Sequence, residues 1–249
     1  KGVVGYVPQR DIMHDDLTVA DALRYTAMLR TRADLSKEEL AARVNGAIAD
    51  VRLQGKEHLR ISSLSGGQKK RVSIAMELLS DPKVIFLDEP TSGLSPDLDM
   101  EMMELLKELS KKGRTIVVIT HAMENLDKCD RVAFLGRGGR LCFYGAAKDA
   151  FRWFNRRSYS RIFAALGSEE TSEQFAKKYR RSPYYAELYA QLAEEYGKGC
   201  CLPPEEPAES GAVWEKAPKR LPRRVRTADA AAEAPEDFET DESDGEEEE

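Results

Sequence analysis

SLSGGQKKRVSIAMELLSDPKVIFLDEPTSGLSP, residues Ser63 to Pro96, is the stretch around which the 249-residue chain is organised. Leu64-Ser65-Gly66-Gly67-Gln68 opens a helix: Ser65 is a good N-cap, and the two glycines let backbone N–H groups approach a ligand closely. The unpaired N–H groups and the dipole of such a helix end favour an anion. Val72, Ala75, Met76 and Leu79 recur at helical spacing and are expected to face a core, and Asp81-Pro82 stops the helix. Val84-Ile85-Phe86-Leu87 follows as a short apolar run that reads as a strand buried on both faces of a parallel sheet. Asp88 and Glu89 come at its carboxyl end, where open α/β sheets bind ligands.

LSGGQ placed about twenty residues before an apolar strand that ends in Asp-Glu-Pro resembles the signature and Walker B motifs of ATP-binding cassette (ABC) ATPases. Further segments carry the resemblance outward. Gly2 to Val7 reads as a strand, and Gln9 just after it resembles the Q-loop glutamine of that family. Thr115 to Thr120 reads as a second buried strand, and the following His121 resembles the H-loop switch histidine. Pro90 to Pro96 resembles the D-loop with one departure, Ser95 where the family usually has Asp, which bears on the coupling of two facing sites. HDDLTVADALRYTAMLR, from His14 to Arg30, resembles the same segment of the G subfamily and of related bacterial exporters, and so does the region from Val132 to Phe154.

Between these motifs the local signals are ordinary. Thr18 with Asp21, and Ser36 with Glu39, read as capping boxes that open two helices within residues 18 to 55. Leu98, Met102, Leu105, Leu106 and Leu109 form one face of an amphipathic helix that ends at Lys111-Lys112-Gly113. Val132–Leu135 and Arg140–Tyr144 read as a hairpin turning at Gly138-Gly139. Residues 158 to 196 are helical and aromatic-rich. Tyr184, Tyr185 and Tyr189 read as packing residues rather than a base-stacking surface, since no ordered basic groove accompanies them.

Composition bounds the rest. The formal net charge of −6 comes mostly from Glu233 to Glu249, a run rich in Asp and Glu without a basic residue, and the remainder is mildly basic. Lys216 to Arg226 is basic and Pro-containing, and both tail segments read as disordered. Cys129, Cys142, Cys200 and Cys201 have neither metal spacing nor a paired framework and read as reduced thiols. No run approaches the roughly 20 apolar residues of a membrane helix. No GxxxxGK[ST] occurs. With the downstream motifs intact but for Ser95, that pattern and the start at Lys1 give the expectation of a cut before Lys1. They also predict apolar sheet faces left uncovered and weak ATP binding by the chain alone.

The fold expected from the resemblance is α/β, a partial P-loop NTPase with a mostly parallel sheet, a helical signature subdomain and a disordered C-terminal tail. The expected division is residues 1–155 as ABC ATPase domain, 156–200 as helical extension and 201–249 as tail. The resemblance implies ATP and Mg²⁺ as cofactors. Asp88 and Gln9 are then the metal residues, Glu89 the general base, His121 and Gln9 its catalytic companions. Ser65, Gly66, Gly67 and Gln68 would contact the ATP of a second cassette in a head-to-tail pair. It further implies a transmembrane domain as partner, a place on the cytoplasmic face of a membrane, and no nucleic-acid partner. Two other readings are a soluble ABC ATPase acting on ribosomes or DNA, and a non-catalytic remnant that supplies the signature in trans.

Overall fold

The computed structural model describes residues 4–31, 35–197 and 203–204. Gly2 and Val3 of the first expected strand, Cys200 and Cys201, and both charged tail segments lie outside the described residues.

Three short strands, β1 (Val4–Val7), β2 (Val84–Asp88) and β3 (Thr115–Ile119), form a parallel sheet in the order β1-β2-β3. The register sets Tyr6 beside Phe86 and Phe86 beside Val117. Four helices belong to this unit: α1 (Val19–Arg30), α2 (Lys37–Asp50), α3 (Gly66–Leu78) and α4 (Pro96–Lys111). Their ends follow from sequence. Ser36 and Ser65 are N-caps in complete capping boxes with Glu39 and Gln68, and Pro96 occupies the first turn of α4. Thr18 caps α1 by accepting from the Asp21 N–H, yet the reciprocal half is missing: its hydroxyl donates to the Asp21 carboxylate at 2.8 Å. Asp21 is one carbon shorter than the Glu or Gln of the usual box, and here it turns back to the hydroxyl rather than to the cap backbone.

The apolar core of this unit gathers Val7, Leu23, Ile48, Ile74, Ile85, Leu87, Leu105 and their neighbours. Each fully buried aliphatic side chain contributes about 1.5–3 kcal/mol. α3 packs against β1 and α4 against β3, all on one side of the sheet. The expectation that β2 is buried on both faces is therefore corrected. Ile85 and Leu87 are 0% exposed, whereas Val84, Phe86 and Asp88 on the opposite face are only half-buried. Val4 and Tyr6 on that face are about half exposed, and so is Ile119 at the end of β3. Among the described residues no helix covers this face, which agrees with the expectation of uncovered apolar surface.

The turn after α3 lies close to β1. A Cβ on Gly5 would sit 3.3 Å from the Pro82 ring, tighter than ordinary contact, and 3.4 Å from Glu77 of α3. Glu77 also accepts from the Tyr6 N–H at 3.3 Å and from Arg30 at 2.5 Å, so it answers an unpaired donor on the sheet edge.

A second apolar cluster is built on the antiparallel pair β4 (Val132–Leu135) and β5 (Leu141–Gly145), joined through Gly138 and Gly139 at φ of 72° and 70°. Helices α5 (Ala147–Phe154), α6 (Tyr159–Ala165), α7 (Glu169–Arg180) and α8 (Pro183–Tyr196) complete it. Phe143, 0% exposed, has Phe134, Trp153, Phe154, Tyr179 and Tyr184 around it at centroid distances of 5.8–6.5 Å. Tyr184 and Tyr185 pack in this cluster, as their reading as packing residues requires. Cys129 packs against both clusters.

Candidate active site

The carboxyl ends of the three parallel strands carry Gln9, Asp88-Glu89 and His121 within two residues of the last strand position. Glu89 turns sharply out of β2: its φ is 43°, a left-handed conformation that costs a non-glycine residue about 1–2 kcal/mol. The turn is held because its N–H donates to the Ile119 carbonyl at 2.8 Å and its carbonyl accepts from Ser92 at 3.1 Å. An observed backbone outlier held in this way is a pointer to function.

The Glu89 carboxylate is the centre of a side-chain cluster. Gln9 Nε2 donates to its Oε2 at 2.7 Å, and His121 Nδ1 lies 2.8 Å from its Oε1. An ionised carboxylate only accepts, so Nδ1 carries the proton and Nε2 is left as acceptor in the neutral ring. Glu89 is 24% exposed at its side chain and His121 74%, so the cluster opens to solvent on the histidine side. Asp88 stands next to it and, among the described residues, receives only the Tyr6 hydroxyl, at 3.4 Å. Thr120 Oγ1 accepts the Ala122 N–H at 2.9 Å and shapes the loop after β3. Asn125, left-handed at φ 61°, donates to the buried Asp99 of α4 at 2.9 Å and anchors the end of that loop.

Ser65, Gly66, Gly67 and Gln68 form a separate group at the mouth of α3. Ser65 Oγ accepts from Gln68 N at 3.4 Å, and Gln68 Oε1 accepts from Ser65 N at 3.2 Å. Gln68 is thereby engaged in the cap. Ser65 and Gly66 are exposed, and nothing among the described residues lies within 4 Å of a Cβ on Gly66. Packing among these residues therefore does not demand a glycine at 66. A Cβ on Gly67 would meet Leu94 at 3.6 Å and Leu98 at 3.9 Å, ordinary van der Waals contact, so packing does not demand a glycine there either. The structure thus joins Gln9, Glu89 and His121, sets Asp88 beside them, and gives the signature residues hydrogen bonds to one another.

Lys70, Asp11 and Tyr6 were not among the sequence-derived candidates. Lys70 is buried, and Asp11 meets it in an ion pair of 2.8 Å. The signal was present in sequence: Lys70 falls on the helical stripe Gly67, Lys70, Ile74, Leu78, a cation at a core register.

The donor set fits a magnesium ion. Such an ion uses one or two protein oxygens together with phosphate oxygens and waters. Asp88 supplies a carboxylate with one weak partner among the described residues, and Gln9, with Nε2 committed to Glu89, keeps its Oε1 as acceptor. Among the described residues no group of three or more His, Cys, Asp or Glu is placed to hold a metal by itself.

Comparison with known proteins bears on the family and the fold. The family model described as ABC transporter matches residues 1–92. The solved structure of CbiO1 from Clostridium perfringens, described as part of the ABC transporter complex CbiONQ, superposes with a TM-score of 0.53 at 31% identity over 67% of this chain and 68% of that one. The chain belongs to the ABC transporter ATP-binding family. Its fold is accordingly that of a P-loop NTPase of the ABC ATPase type. The ABC chain is 38% identical to the ATP-binding/permease protein Rv1747 of Mycobacterium tuberculosis over 67% of its length and 19% of that protein. It is 37% identical to ABC transporter G family member 1 of Dictyostelium discoideum, covering 21% of it. It is 36% identical to the broad substrate specificity ATP-binding cassette transporter ABCG2 of Sus scrofa, covering 25% of it. The chain thus spans about a fifth to a quarter of the length of these relatives.

Proposed function

We propose that the protein carrying this cassette hydrolyses ATP and couples the hydrolysis to movement of a substrate across a membrane. The observation that carries the reading is the Glu89 carboxylate held between Gln9 and His121 at the ends of three adjacent parallel strands. Positioning and charge neutralisation supply most of the catalysis in phosphoryl transfer, and that constellation serves both.

In this reading Asp88 and the Gln9 amide oxygen would hold Mg²⁺, which would supply positive charge against the negative charge that develops on the phosphate oxygens. Glu89 accepts the proton of the attacking water. Each of its oxygens accepts one hydrogen bond, from Gln9 and from His121, and keeps a further lone pair for that proton. On leaving Glu89, Gln9 turns its amide oxygen towards the attacking water. His121 turns its N–H towards the terminal phosphate, where it stabilises the oxygen charge. The exposed mouth of α3, with Ser65, Gly66, Gly67 and Gln68, serves an ATP held by a second cassette in a head-to-tail pair. The outer side of the α1–α2 pair faces a transmembrane domain, and the cassette lies on the cytoplasmic face. No helix among the described residues is long and apolar enough to cross a membrane itself.

Glu89→Gln in the full protein keeps the shape of the side chain and removes its basicity. ATP hydrolysis is expected to fall at least about 100-fold, within the range that general-base removal gives, while ATP-dependent pairing of cassettes persists in cross-linking. Turnover equal to the parent would overturn Glu89 as base. No MgATP hydrolysis by the parent would overturn the ATPase reading itself.

A further inference from the structure

Lys70 sits on α3 five positions after the N-cap Ser65, and it does not face the solvent. Its side chain is 8% exposed and that of Asp11 19%. A buried ammonium is costly unless every one of its donors is answered. Here all three are: Lys70 Nζ donates to the Pro8 carbonyl at 3.1 Å, to the Gln9 carbonyl at 3.0 Å and to Asp11 Oδ1 at 2.8 Å. Two of the three acceptors are backbone atoms of the very loop that presents Gln9. The Gln9 residue is therefore held at both ends, by Lys70 on its carbonyl and by Glu89 on its side-chain amide. Glu77, two turns further along α3, fastens the same helix to β1 at Tyr6.

We propose that Lys70 is a positioning residue. It fixes the backbone of the Gln9 loop to the signature helix, so that the mouth of α3 and the Gln9–Glu89 contact move as one unit. The inference rests on the proposed ATPase reading and deepens it. Ser65 and Lys70 share one rigid helix, hence a displacement of the α3 mouth is carried through the ammonium to the Gln9 carbonyl. Release of Gln9 from Glu89 then depends on where the signature helix sits. A planar guanidinium does not reproduce a compact three-point ammonium in a buried site, so Lys70→Arg is not a silent exchange.

The test asks whether Lys70 works through Gln9. In the full protein, MgATP hydrolysis is measured for the parent, Lys70→Met, Gln9→Ala and the double variant. Lys70→Met is expected to lower kcat at least about ten-fold, the scale of a displaced positioning group, to raise the Mg²⁺ concentration for half-maximal rate, and to leave KM for ATP within about two-fold. In the Gln9→Ala background the same substitution adds nothing. Additive losses in the double variant, or a fall in amplitude with an unchanged Mg²⁺ requirement, would mark a merely structural lysine and overturn the proposal. Asp11→Asn, which leaves both carbonyl bonds in place, gives a milder shift in the same direction and covers the event that Lys70→Met does not fold.

A second readout needs no ATP. In the full protein labelled with ¹⁵N at glutamine, the Gln9 side-chain amide, assigned by its loss in Gln9→Ala, is expected to shift or broaden in Lys70→Met. An unchanged Gln9 amide would overturn the proposal whatever the activity. A parent without hydrolysis but with the expected amide change would instead sink the ATPase reading alone.

Discussion

At the scale of single residues, the site depends on groups held in conformations that they would not choose alone. Glu89 is left-handed because the Ile119 carbonyl and the Ser92 N–H fix the turn around it. Replacing it by glycine and by alanine removes the same carboxylate, but only alanine keeps the backbone penalty. Glu89→Gly is therefore expected to be more stable than Glu89→Ala by about 1 kcal/mol in chemical denaturation of the 249-residue chain. The two described cysteines give a second residue-scale prediction. Burial raises the thiol pKa of both Cys129 and Cys142. Less thiolate is then present at neutral pH than on a free cysteine, and reaction accelerates only as pH rises well above the ordinary range. Cys142, fully buried, is expected to resist alkylation in the native chain, with Cys129 intermediate, when peptides are mapped by mass spectrometry. Equal labelling of both thiols before unfolding would contradict the packing.

At the scale of elements, the β4–β5 pair and its four helices stand on rings. Phe143 touches five aromatic neighbours at 0% exposure, and Trp153 Nε1 donates to the Cys142 carbonyl at 3.0 Å. Phe143→Ala is expected to cost about 3–5 kcal/mol, with amide protection lost first in β4, β5 and α7 and retained longest in β2. A simultaneous loss across β2 would show the two clusters to be a single cooperative unit. α2 offers a pH test. The Glu39 pKa is lowered, first by the Ser36 backbone N–H and then by its hydroxyl. A depressed carboxylate contributes stability above its unfolded value and loses it as pH falls through the lower folded value. Glu39→Gln keeps a capping acceptor without the charge, so its stability deficit at neutral pH is expected to shrink to nothing on acidification. A deficit independent of pH would contradict the charge contribution.

At the scale of the whole molecule, one face of the three-stranded sheet carries helices and the other presents Val4, Tyr6, Phe86 and Ile119 with partial exposure. A twisted parallel sheet with one apolar face open is marginal by itself, because such sheets are ordinarily covered on both sides. The 249-residue chain is expected to enhance the fluorescence of a dye that reports apolar surface. Substituting Tyr6 and Phe86 by polar residues is expected to reduce that signal. The same chain has no GxxxxGK[ST], hence no Lys and N–H cradle of that kind for the β- and γ-phosphates. Calorimetry is expected to find ATP affinity well outside the micromolar range, and micromolar binding would mean that other residues grip the phosphates.

Sequence by itself determined the order of motifs, the strands and the starts of α1, α2 and α3, while residues 158 to 196 read as helical without the breaks between α6, α7 and α8. Ser36, Ser65 and Pro96 act on partners within four residues, and such signals are local enough to read directly. The candidate residues Gln9, Glu89 and His121 were legible through the resemblance to ABC ATPases, since a place after an apolar β-forming run would by itself leave Gln9 a surface residue and His121 a structural one. What only tertiary structure decided lies at long separation. Gln9 meets Glu89 across 80 residues, and Lys70 meets the Gln9 carbonyl across 61. Which face of the sheet is covered, why a lysine occupies a core register, and that Asp21 turns to a hydroxyl instead of closing its box all follow from packing geometry. An apolar run states that a strand wants burial, but only the assembled neighbours settle which side receives it.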